Sequence, residues 1–317
     1  MRTSSVVALT LAFTVVATLG ACSGTQRSSP FPETDDASVA PVPTDSSGNN
    51  GGFVPSGGDA STGTSGGCSD EAKLVYVVSA ENDLYSFKPD ALAFTKIGKL
   101  GCSAGAASPN SMAVDRQGTA WVNYSDGSLF KVSTKDASCT STSFAPGQSD
   151  FEKFGMAFSS NAAGSSEETL FVAGLADPLF GGASGLAKID LTSMKLTPIG
   201  DYSGALRGQG AELTGTGDAK LYGFYTTSPA TLAEIEKASG ATSGNKSLTG
   251  VSTGDAWAFS FWGGDFWFYT ANNLQESSVT RYKKATDGSI SVVMPKVGGF
   301  RIVGAGVSTC APTTPPR

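Results

Sequence analysis

The sequence predicts an all-β protein built as a single β-propeller of five blades, with six or seven blades as the alternatives, and three observations carry that reading. The stretch Ser108–Cys139 holds four short apolar or alternating runs separated by turn residues, the pattern of one four-stranded up-and-down sheet. Such a sheet cannot bury both faces alone, and comparable runs recur with first strands at Met112, Met156, Ala211, Trp257 and Val303. Their separations of 44, 55, 46 and 46 residues match the roughly 40–50 of propeller repeats. Finally, Phe300–Ser308 has no strand after it, while the first blade lacks its first strand. The C-terminal strand is therefore expected to close the ring and leave no open sheet edge.

Taken in order, blade one offers Leu74–Ser79, Asp83–Phe87 and Ala93–Leu100, with turns at Glu81-Asn82 and Lys88-Pro89-Asp90. Blade two has Ser111–Val114, Thr119–Tyr124, Ser128–Ser133 and Ala137–Thr142, punctuated by Arg116-Gln117-Gly118 and Ser125-Asp126-Gly127. Blade three follows with Phe154–Phe158, Leu170–Gly174, Gly185–Asp190 and Lys195–Gly200, widened by loops Ser159–Thr169 and Leu175–Ser184. Gly181-Gly182 in the second loop has neither the lysine nor the following helix of a phosphate loop. Blade four supplies Ala211–Gly215, Leu221–Thr226 and Thr231–Lys237, with a last strand placed only as preceding Gly250. Blade five has Trp257–Phe261, Asp265–Thr270, Val279–Lys284 and Ser289–Met294, with a hairpin at Gly263-Gly264. Alternation sends its aromatic cluster, Trp257 to Tyr269, into the layers between blades, with Trp262 and Trp267 as a surface pair that could stack a sugar or a partner.

The flanks are of another kind. Residues 1–21 read as an export signal: one Arg, then an apolar run from Val6 to Leu19, too short for a membrane span. Its end, Leu19-Gly20-Ala21-Cys22, resembles a bacterial lipobox, which implies lipidation (palmitate) of Cys22 and a protein anchored to a membrane of the cell envelope on its extracytoplasmic side. Residues 22–67 then form a Ser/Gly/Pro-rich disordered tether with a reach of roughly 35–40 Å. The propeller spans 68–310, and 311–317, with Pro312, Pro315 and Pro316, reads as a disordered tail.

Composition narrows the chemistry. The chain has no histidine, which excludes Ser-His-Asp and Cys-His catalysis and His-ligated zinc. A formal charge of −6 with scattered basic residues makes nucleic acid an unexpected partner. With Cys22 set aside, Cys68, Cys102, Cys139 and Cys310 are an even number for an exported protein. Antiparallel pairing of the closing strand with Leu74–Ser79 puts Cys310 beside Cys68, so Cys68–Cys310 is expected and, by elimination, Cys102–Cys139.

The run from Asn110 to Val132, NSMAVDRQGTAWVNYSDGSLFKV, resembles the repeat of NHL, gluconolactonase-like and streptogramin-lyase-like propellers: apolar–Ala-Val-Asp, a Gly turn, then Trp-Val. The likeness covers one blade well. It implies a propeller and three kinds of role: metal-dependent lactone hydrolysis, His-dependent lyase chemistry (excluded here), or non-enzymatic binding and scaffolding. Propellers bind ligands over the central axis, and two positions before each first-strand anchor stand Asn110, Phe154, Gln209, Asp255 and Arg301, with Glu152 and Lys153 adjacent to the second. Asn110, Glu152, Gln209 and Asp255 offer oxygen ligands for a hard cation such as Ca²⁺; Lys153 and Arg301 suit a carboxylate or sugar. No catalytic residue is assigned, and Asp115 is read as a turn residue. The expected role is a non-enzymatic binding or scaffold module whose partners are the lipid bilayer and an envelope protein or glycan. The alternative is a metal-dependent lactonase-like hydrolase of small sugar lactones.

Overall fold

The computed structural model describes residues 68–175 and 185–316. The lipobox and Cys22, the tether and the Gly181-Gly182 loop lie outside these. Among the described residues no helix is long and apolar enough to cross a membrane.

The strands form five four-stranded antiparallel sheets. Blade one takes β1 (Val75–Ser79), β2 (Asp83–Lys88) and β3 (Ala93–Lys99). Blade two is β4 (Pro109–Val114), β5 (Thr119–Tyr124), β6 (Leu129–Ser133) and β7 (Cys139–Ser141). Blade three is β8 (Phe154–Ser160), β9 (Glu168–Gly174), β10 (Leu186–Asp190) and β11 (Lys195–Gly200). Blade four is β12 (Ala211–Gly215), β13 (Leu221–Tyr225), β14 (Thr231–Ile235) and β15 (Thr242–Ser247). Blade five is β16 (Ala256–Trp262), β17 (Asp265–Ala271), β18 (Ser278–Tyr282) and β19 (Ile290–Met294). The last strand, β20 (Ile302–Val307), pairs with β1 in the register Val75↔Val307, Val77↔Ala305 and becomes the inner strand of blade one. Inner strands meet in the cycle β20, β4, β8, β12, β16 and back to β20, so the five blades close into a propeller.

Period-2 alternation fills the seams. On β1, Val75 and Val77 pack toward blade five while Tyr76 and Val78 pack toward blade two. Five apolar clusters result, one at each blade-to-blade seam. The blade-five aromatics divide the same way: Phe259, Phe261, Phe266 and Phe268 face blade four, Trp267 and Tyr269 face blade one. Each such ring contributes roughly 1.5–3 kcal/mol of burial. Trp267, for which the sequence allows a surface reading beside the seam reading, is a core residue at 1% exposure. Trp262 is half-buried, its indole N–H donating to the Lys73 carbonyl.

Five inner strands around one axis crowd each other, and small residues make room. A Cβ on Gly155 would run into the backbone of Ala211, and one on Gly215 into that of Phe158.

The two bridges are Cys68–Cys310 and Cys102–Cys139. The first clasps the closing strand to the start of blade one. The expected disordered tail is corrected for 311–316: Ala311 is buried, and the Gly263 N–H of the blade-five hairpin donates to the Pro312 carbonyl.

Candidate functional site

The Asp-Gly-Trp spacing of blade two has a local cause. Asp115 Oδ1 accepts the N–H groups of Gln117 and Thr119, and Oδ2 accepts Trp121 Nε1 at 3.0 Å. Asp115 thus caps the β4–β5 turn and fixes the indole in the seam.

The same turn gives a ruler for the other blades. Asp115 N–H donates to Thr119 O in blade two, and Thr216 N–H donates to Lys220 O in blade four. Counting back from these turns places Leu213, not Ala211, level with Met112. Glu212 is then level with Ser111, and Gln209 falls two residues too far out. This is why Gln209 does not line the mouth. Glu152 and Lys153 also fail to line it: Glu152 is exposed, and Lys153 contributes its carbonyl to Leu175 N–H while its side chain stays half-buried elsewhere.

Three of the six expected rim residues do converge. Asn110, Asp255 and Arg301 line one cavity of about 230 Å³ at the mouth of the ring, together with Trp257, Leu175 and Glu212. The volume is just under the roughly 300–1,000 Å³ usual for drug-sized ligands, so the site suits a small one.

Each polar group arrives with its hydrogen bonding partly committed. Asn110 Nδ2 donates to Asn123 Oδ1 (3.1 Å) and to the Phe154 carbonyl (3.2 Å), which fixes the amide and leaves Oδ1 without a partner among the described residues. Asp255 Oδ2 accepts the Leu274 N–H at 3.3 Å and Oδ1 has no partner among the described residues. Arg301 is half-buried; its carbonyl accepts the Ala80 N–H, while its guanidinium makes no hydrogen bond or ion pair with any described residue, Asp255 included.

Glu212 is the residue that sequence reasoning passed over. It is 2% exposed and lies on the inner strand of blade four. Ser111 Oγ, from the inner strand of blade two, donates to its Oε2 at 2.7 Å. Those blades are not neighbours, so the bond spans the interior of the ring. Burial pushes this carboxyl well above the usual carboxylate range, and the Ser111 hydroxyl with the N–H groups of Leu213 and Met156 only partly offsets it. The available signal was a lone acid inside the apolar strand Ala-Glu-Leu-Thr-Gly, at a level where blade two has a serine.

The four proposed oxygen donors for a hard cation are thus not gathered: two line the mouth and two do not. Among the described residues no three Asp, Glu or Cys side chains converge to hold a metal ion.

No family model matches the chain, and no curated protein matches it in sequence. Among solved structures it is similar to a protein of unknown function from Bacteroides caccae, at 11% identity over 70% of this chain and 72% of that one, with a TM-score of 0.39. It is also similar to the Dos1 propeller, at 12% identity over 73% of this chain, TM-score 0.40. This chain spans 57% of the length of that second structure.

Proposed function

We propose that this protein is a lipid-anchored, extracytoplasmic binding module: a five-bladed propeller, tethered through acylated Cys22, that holds a small ligand at its mouth and catalyses nothing. One observation carries the binding role. Arg301 lies half-buried in the mouth with no anionic partner among the described residues. A guanidinium so placed can pair with the anionic group of a ligand, bidentately where that group is a carboxylate. The two disulfides support export, since such bridges persist in oxidising compartments. The Leu19-Gly20-Ala21-Cys22 motif supports the anchor, and the blade-two repeat supports kinship in architecture with NHL and gluconolactonase-like propellers. The partner is an envelope protein or glycan fragment, or a small solute of that compartment.

The lactonase alternative is disfavoured because Arg301 shares the mouth with Asp255 and would repel the cation that such an enzyme needs there. The test is a thermal-shift screen of small carboxylates, sugars and amino acids. At least one compound should raise the melting temperature by several degrees and lose that effect in Arg301→Gln. A screen without hits, or hits indifferent to Arg301, would overturn the mouth reading. The anchor is tested separately: Cys22→Ser should move the protein from the detergent phase to the aqueous phase.

A further inference from the structure

The mouth presents two opposite charges that do not neutralise each other. Arg301 and Asp255 line the same small cavity yet form no ion pair, and neither is paired with another charged group among the described residues. An exposed ion pair gains little over two hydrated charges, so nothing draws the two side chains together across the mouth. Keeping them apart leaves one pole that only donates and another that only accepts. Asn110 Oδ1, from blade two, is a second acceptor lining the cavity, since both Nδ2 hydrogens of Asn110 are directed at Asn123 and Phe154. The wall contributed by Trp257, Leu175 and Val303 is apolar.

Resting on the reading of the mouth as a small-ligand site, we propose that its ligand is a zwitterion of the α-amino-acid type. Its carboxylate binds the Arg301 guanidinium, its ammonium is held by Asp255 and the Asn110 carbonyl oxygen, and an apolar side chain lies against Trp257. A simple anion would use Arg301 and leave the two acceptors unpaired. A simple cation would meet Arg301 as a like charge. Only a ligand carrying both charges a few bonds apart satisfies both poles at once. Glu212, beneath the mouth and hydrogen-bonded to Ser111, supplies a polar floor.

The experiment uses the whole chain in detergent. The L-amino acids are screened by thermal shift, and the strongest binder is compared by calorimetry with its deaminated acid and its decarboxylated amine. An amino acid with an apolar side chain should bind, and loss of either charged group should weaken binding at least tenfold. Asp255→Asn, which keeps an oxygen for the Leu274 N–H, should weaken the amino acid at least tenfold and leave the deaminated acid unchanged. Arg301→Gln should weaken both. If the deaminated acid binds as tightly as the amino acid, or if no amino acid shifts the melt, the zwitterion is wrong. In the first case, or if another Arg301-dependent compound binds, the mouth still stands as a ligand site.

Discussion

Glu212 shows what one residue on the axis of the ring can do to stability. Its carboxyl is hydrogen-bonded but has no cationic partner among the described residues, and burial raises its folded-state pKa above the roughly 4.3 of an exposed glutamate. Below that value the folded and unfolded chains are both protonated and nothing is lost. As pH rises, the unfolded chain releases its proton first, so stability declines until the folded-state pKa is passed. Glu168, at the end of the ring where Thr309 and Arg116 contact it, is raised by burial too and adds a decline of the same sign. Glu212→Gln should therefore leave stability unchanged near pH 4 and increase it near pH 8, read from urea unfolding at both pH values. A variant less stable at pH 8 would mean that the charged carboxylate is what blades two, three and four are built around. Sequence reading missed this residue because alternation was counted from an anchor two positions early in blade four. The hydrogen bonds of the β12–β13 turn set that register, and they have no counterpart in the apolar pattern.

Among the elements, inner strands were legible and outer ones less so. Inner strands are packed from both sides, and their residues must be apolar or small, as in Phe154–Ser160, which is buried throughout. Outer strands face solvent. β15, Thr242–Ser247, has no buried residue, so nothing in its sequence distinguishes it from a loop. The closing strand was readable because Cys310 follows it as Cys68 precedes β1. That bridge spans 242 residues, against 37 for Cys102–Cys139. On the chain-entropy model the two are worth about 5.5 and about 4 kcal/mol respectively. Replacing Cys68 and Cys310 together by serine should thus cost more stability than replacing Cys102 and Cys139, measured as the shift in denaturant midpoint at equal slope. The reverse order would show that the closing pair of strands holds without its clasp.

At the scale of the molecule, closure makes each blade depend on both neighbours. Every apolar cluster is shared by two blades, and blades two and four are also joined through Ser111 and Glu212. Losing one blade would expose two seams, each with ten or more buried side chains, which no remaining contact could offset. Unfolding should therefore be a single transition for the whole ring. The four tryptophans allow a direct test: Trp121 stands in blade two, while Trp257, Trp262 and Trp267 stand in blade five. In Trp121→Phe the fluorescence reports blade five alone, whereas far-ultraviolet circular dichroism reports all five blades. The two denaturation curves should coincide, and should still coincide, at a lower midpoint, once Cys68 and Cys310 are both serine. Curves that separate only in the clasp-free protein would mean that the disulfide, and not the packed seams, joins first and last blades into one cooperative unit.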